Sequence, residues 1–287
     1  MFYFLSLLMG ILISVMIAIN GGLTTHYGVY SATIIIHLVG LVLIAIAVRI
    51  KKETFFLGKL PWFLYLGGAI GVFTTVANNL SFGRISVSAI LALGLLGQSV
   101  TGFIIDQFGL MGMAKHPFTK DKLVGLALIL AGIASMIDNF ETLAVVASFL
   151  AGFCIIMSRT LNAKLADATS MSVSTFYNYF VGFIVSILVF SILGREEIVF
   201  AEFTLSPRWY IYLGGAIGVM VVFMSNIVVV KISAFYLTLL IFVGQVFSGV
   251  LIDIFISQEI SIRNIIGGVL VALGLVINLV LDYKRRH

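Results

Sequence analysis

Long stretches without a charged residue organise this chain. No Lys, Arg, Asp or Glu occurs before Arg49, and only the polar, Gly-rich segment from Asn20-Gly21-Gly22 to Tyr30 interrupts that run. Such runs predict helices at about 2–20, 31–49, 62–82, 85–108 and 123–137. A second set follows at about 142–163, 172–193, 209–230, 232–256 and 264–281. A bilayer core needs about 20 apolar residues per helix. Every run meets this length or nearly does, except Leu123–Ile137, which Lys120 and Lys122 can extend by snorkelling. The runs are continuously apolar and do not alternate with a period of two, which excludes an outer-membrane barrel. The expected fold is an all-α membrane protein of ten transmembrane helices.

Composition agrees: 61% of the 287 residues are hydrophobic and 10% are charged, against roughly 25% charged in a soluble domain. The net charge of +5 does not indicate nucleic-acid binding, because the cations sit in short breaks between apolar runs. If the N-terminus is cytoplasmic, only Arg84, Arg195, Arg208 and Arg263 of the 17 Lys and Arg fall outside. The positive-inside bias then puts both termini in the cytoplasm. Cys154 is the single cysteine and lies in an apolar stretch, while His26, His37, His116 and His287 are scattered. Neither a metal site nor a cofactor is expected. The N-terminus lacks the positive region of a signal peptide and is expected to begin the first span.

The chain contains an internal repeat. Leu66–Val72 and Leu213–Val219 both read LGGAIGV, 147 residues apart. At that offset Asn79 matches Asn226, and GQSVTGFIID (Gly97–Asp106) matches GQVFSGVLID (Gly244–Asp253). Upstream the offset is 142, pairing Gly10 with Gly152, Asn20 with Asn162, His37 with Tyr179 and Gly40 with Gly182. Two units result, 1–140 and 141–287, each of five spans. Because five is odd, the second unit enters the membrane from the opposite side, so the repeats are inverted. Secondary transporters are built this way.

With its LGGAIG third helix and GQ…G…ID fourth helix in two five-helix units, the whole chain resembles the drug/metabolite transporter superfamily, in particular a fused pair of the YdcZ-like branch. The resemblance implies alternating-access transport of a small metabolite or drug-like solute across the cytoplasmic membrane, commonly efflux. A lipid flippase is the alternative. The small multidrug exporters of that superfamily use a buried glutamate in their first helix; none stands here, which argues against exchange of drug cations for protons. Nothing in the sequence indicates an enzyme. The expected partners are a small-molecule substrate and the bilayer, with the chain a monomer or homodimer.

Candidate site residues follow from polar side chains in apolar surroundings. Gln98 and Gln245, four residues before Gly102 and Gly249 and eight before Asp106 and Asp253, face either substrate or another helix. Asp106 and Asp253 lie near helix ends as gating contacts or interfacial anchors. Asn79, Asn226, His37 and Tyr179 are candidates for substrate contact, with interhelical hydrogen bonds as the alternative. Gly67, Gly71, Gly214 and Gly218 form small-xxx-small patterns expected to pack helices closely. Asn20 and Asn162 are expected to end their helices. Arg159 is expected to snorkel to the interface, or else to meet an anionic substrate. A centre of amides, hydroxyls and aromatics (Tyr177, Asn178, Tyr179) suits a neutral or zwitterionic metabolite.

Overall fold

The computed structural model describes residues 1–55, 60–108, 122–137, 141–197, 204–228, 231, 234–257 and 261–286. Among them are ten α-helices: α1 (Phe2–Tyr27), α2 (Val29–Ile50), α3 (Leu66–Ser81), α4 (Val87–Phe108), α5 (Lys122–Met136), α6 (Thr142–Ala168), α7 (Met171–Leu193), α8 (Gly214–Val228), α9 (Ala234–Ser257) and α10 (Ile262–Arg286). A 3-10 turn leads into α3 (Trp62–Tyr65) and another into α8 (Trp209–Leu213). Seven of the helices, with those turns, are long and apolar enough to cross a membrane; Leu123–Met136, Leu240–Ile256 and Ile262–Asn278 are shorter apolar stretches.

Lipid-facing stripes are visible at helical spacing. Leu38, Val42, Ile46 and Ile50 on α2 are exposed at four-residue steps, and so are their repeat equivalents Phe180, Ile184, Leu188 and Ile192 on α7. An apolar face of this kind is stable against acyl chains and would be a large sticky patch in water.

The two halves pack on each other rather than side by side. α1 lies against α8 and α9, just as α6 lies against α3 and α4; α2 meets α8 as α7 meets α3. Equivalent helices also pair with each other, and these pairs reveal the direction of the symmetry. On the α2–α7 contact, Gly40 faces the Tyr179 ring and Gly182 faces His37. On the α5–α10 contact, Gly125 faces Gly274 and Asn278, and Gly132 faces Gly267 and Val271. In both, numbers rise along one helix as they fall along the other. Equivalent helices that cross antiparallel are related by a two-fold axis perpendicular to them, which lies in the membrane plane. The five-helix repeats are inverted.

Two expectations about helix ends are corrected. α1 does not stop at Asn20: it continues to Tyr27, and the Thr24 and Thr25 hydroxyls donate back to the carbonyls of Asn20 (2.9 Å) and Gly21 (3.0 Å). Position 21 needs glycine within the helix because the Phe82 ring occupies the space of a side chain there. The turn comes instead at Gly28, whose φ of 88° is strained for residues with a Cβ. Likewise α6 runs past Asn162 to Ala168. Both asparagines are therefore mid-helix residues whose side chains need partners inside the bundle.

Candidate functional site

Eight of the helices, all but α5 and α10, enclose a cavity of about 180 Å³ at the centre of the bundle. An engineered cavity of about 150 Å³ is known to hold benzene, so this space suits a solute a little larger than benzene. Equivalent residues of the two halves converge on it: Ile13 and Ile155, Asn20 and Asn162, His37 and Tyr179, Gly71 and Gly218, and Gln98 and Gln245 all line it.

The repeat is broken in its polarity. The wall made by α3, α4, α6 and α7 carries Thr74, Thr75, Gln98, Ser158, Arg159 and Asn162. At the matching positions of the opposite wall stand Val221, Val222, Gln245, Met16, Ile17 and Asn20. The polar wall is held by its own bonds. Asn162 Nδ2 donates to Asn178 Oδ1 (2.8 Å), and Ser158 Oγ donates to the Gly67 carbonyl (2.8 Å). Position 36, which matches Asn178, is Ile, so the Asn20 Nδ2 has no such acceptor; the Asn20 Oδ1, packed on Gly214, is buried without a partner. Ser225 Oγ and Gln245 Oε1 are also buried and unpartnered.

His37 Nδ1 is 2.8 Å from the Thr33 carbonyl oxygen, which can only accept, so Nδ1 carries a proton. Its ring lies 5.9 Å from that of Tyr179 across the pseudo-two-fold.

The sequence matches the family described as "Putative inner membrane exporter, YdcZ" over residues 1–135 and again over 143–277, so both halves carry the family pattern. The chain belongs to the YdcZ family. No curated protein matches it. Chains of solved structures do match; one, described as "Crystal structure of protein", has 14% identity, covers 98% of this chain and 96% of its own length, and superposes with a TM-score of 0.63. That likeness concerns the fold. YdcZ membership makes the chain a multi-pass membrane protein of an inner-membrane exporter family, with the bilayer and a small-molecule substrate as its partners.

Against this background the individual site expectations fare differently. Gln98, Gln245, Asn226, His37 and Tyr179 are brought together around the cavity. Asn79 is not: it is buried outside the cavity, its Nδ2 donating to Thr33 Oγ1 (3.3 Å). Asn226 makes the equivalent bond to Thr175 Oγ1 (3.4 Å) while still lining the cavity. Tyr177 also lies elsewhere, donating to the Phe55 carbonyl (2.8 Å). Among the four packing glycines, Gly67 is held against Asn162 and Gly214 against Asn20. Gly71 differs from the expectation, because the nearest atoms to an added Cβ are 3.7 and 3.8 Å away and it opens on the cavity. Gly218 lies beneath the Tyr179 hydroxyl. Arg159, expected to snorkel, instead turns into the cavity.

Asp253 spans the two halves. Its Oδ1 accepts from Val87 N (2.7 Å) and its Oδ2 from Ser88 N (2.9 Å), closing the N-terminus of α4 from the end of α9. A carboxylate satisfies the free N–H groups of a helix start and complements its dipole. Asp106 sits in the last turn of α4, and its side chain lies outside the described residues. Asp253→Ala strands two N–H groups in a buried place and is expected to lower stability by about 2–4 kcal/mol. Asp253→Asn keeps one acceptor and should lose about half of that; thermal melts of the two variants in detergent check the order.

Two further carboxylates escaped the sequence reading. Glu197, after α7, accepts from Tyr30 N (3.0 Å), Ser31 N (2.8 Å) and Ser31 Oγ (3.0 Å) at the start of α2. Glu53, after α2, accepts from Ser170 Oγ, the N-cap of α7. The loops following equivalent helices thus clasp the start of each other's helix at opposite ends of the bundle. Their separation of 144 residues fits neither repeat offset, so alignment alone does not pair them.

Proposed function

We propose that the protein is a secondary active transporter that moves a small solute outward through the central cavity by alternating access. The observation that carries this reading is the cavity itself, lined from both inverted halves by equivalent residues. Under an inverted two-fold, exchanging the conformations of the two halves converts an inward-open state into an outward-open one, with the binding site staying near the midplane. The solute contacts Gln98, Gln245, Asn226, His37 and Tyr179. Asp253 at one end of the bundle and Asp106 at the other act as gates, with the Glu53 and Glu197 clasps moving alongside them. Both termini face the cytoplasm, in keeping with the Lys and Arg bias of the loops, and outward movement rests on the exporter description of the family. The fold boundary between the working halves falls near residue 140.

A thermal-shift screen of the purified chain against small metabolites, repeated with Gln98→Ala and Gln245→Ala, tests the site. Solutes that stabilise the wild type are expected to bind about tenfold more weakly to each variant, since each loses a buried hydrogen bond of about 1–1.5 kcal/mol. Equal stabilisation of all three proteins would make the glutamines packing residues and move the site elsewhere.

A further inference from the structure

We infer that the transported solute is a small monoanion, a carboxylate on an uncharged and largely apolar body, and that Arg159 holds its head group. This rests on the central cavity being the transport site. Arg159 is four residues from the midpoint of α6, or about 6 Å along the axis, and its side chain borders the cavity. Among the described residues it has no ion-pair partner, and no Asp or Glu lines the cavity with it. A guanidinium at membrane depth is expensive to maintain. Its planar fork fits a carboxylate with two parallel hydrogen bonds.

Two structural explanations fail for this charge. Snorkelling fails because the side chain lines the interior cavity, whereas Lys164, five residues on, is the exposed cation of α6. A scaffold role shared by both repeats fails because the equivalent position is Ile17, which lines the same cavity without a charge. The cation therefore belongs to one wall only, and it makes the cavity electrostatically one-sided.

The rest of the lining completes the description of the solute. One cation balances one negative charge, so a monoanion is favoured over a dianion. Opposite Arg159, the side chains of Ile13, Met16, Ile36, Val221 and Val222 offer an apolar surface to the body of the solute. The volume suits a whole of about the size of a monosubstituted benzene.

Matched solutes test this directly. Benzoate, benzamide, benzylamine and phenyl phosphate form one set, and the 4-hydroxy forms of the first three form another. Binding to the purified full chain is followed by thermal shift and by equilibrium titration. The carboxylate is expected to bind more tightly than its amide, amine or phosphate counterpart. Arg159→Gln is expected to weaken it about tenfold to a hundredfold, and Arg159→Lys to restore part of the loss. Because R159Q removes an unpaired charge from a membrane helix, the ligand-free variant should melt at the same temperature as the wild type or higher, so the loss is not one of folding. An amide, amine or phosphate that binds as tightly as the carboxylate overturns the inference, as does carboxylate binding unchanged by R159Q. If such binding still depends on Gln98, the cavity stands as the site and only the anion assignment falls. If no solute of either set binds, both readings fail.

Discussion

Gly152→Val is expected to leave no stably folded protein. A Cβ at Gly152 would run into the carbonyl oxygen of Gly94 and lie 2.8 Å from Gln98 N, both backbone atoms of α4. Gly97 meets the Phe149 carbonyl from the other side of the same crossing. The equivalent crossing of α1 and α9 is built alike: Gly10 faces the Ile241 carbonyl, with Gln245 N and Gly244 Cα each 2.9 Å from its added Cβ. Backbone cannot rotate away as a side chain can, so the helices must separate. Ordinary overpacking costs about 1–3 kcal/mol, and here the separation also opens the cavity wall that carries Gln98. Gly102→Ala is the control, since nothing lies within 4 Å of its added Cβ. Size-exclusion chromatography in detergent should show G152V as aggregate and G102A as wild type. A monodisperse G152V with an unshifted melting temperature would contradict the packing described.

Gly71→Phe is expected to abolish transport while leaving the fold intact. Gly71 lies in the same LGGAIG segment as Gly67, yet its surroundings are the reverse. The nearest atoms to an added Cβ are Ser158 Oγ at 3.7 Å and Asn178 Oδ1 at 3.8 Å, across open space. A phenyl ring there projects into a cavity of about 180 Å³ and takes up much of it. Efflux from proteoliposomes and ligand-induced stabilisation should both drop to background. The ligand-free melting temperature should move by no more than about 2–4 °C, the equivalent of about 1 kcal/mol. Gly67→Phe, by contrast, collides with Asn162 and with the Ser158 carbonyl and should not fold. Retained efflux in G71F would place the pathway outside this cavity.

The helices and their inversion were legible because both depend on properties that sequence displays directly. A bilayer demands long uncharged runs, and the repeated LGGAIGV and GQ…ID segments counted five spans per unit, an odd number with one geometrical consequence. The ends of α1 and α6 were less legible. Asn20-Gly21-Gly22 has the composition of a turn, but Gly21 answers instead to close packing, since the Phe82 ring from the end of α3 fills the space of a side chain there. Misplacing those ends hid Asn20 and Asn162 as cavity residues, although the repeat had already paired them. Arg159 was half legible: hydropathy places it near the inner end of a span, where snorkelling suffices, and an anionic substrate was only the alternative. The signal that could have found it was the repeat alignment itself, in which Ile17 stands opposite Arg159 and Ile36 opposite Asn178. Departures from symmetry, more than the matches, mark the residues that define the solute. Asn79 shows the converse, for its match to Asn226 reflects equivalent bonds to Thr33 and Thr175, and only Asn226 also lines the cavity.

Alternating access requires that one cavity, shared by two inverted halves, open to each side of the membrane in turn. A single thiol at the cavity wall tests it most directly: Thr75→Cys in a Cys154→Ser background, labelled with a membrane-impermeant maleimide in right-side-out and inside-out vesicles. Thr75 lines the cavity, and Cys154 is the only native cysteine. Labelling is expected from both faces, each slowed by a solute that the cavity binds. Labelling from one face only, whatever the solute or the time allowed, would contradict alternating access through this site.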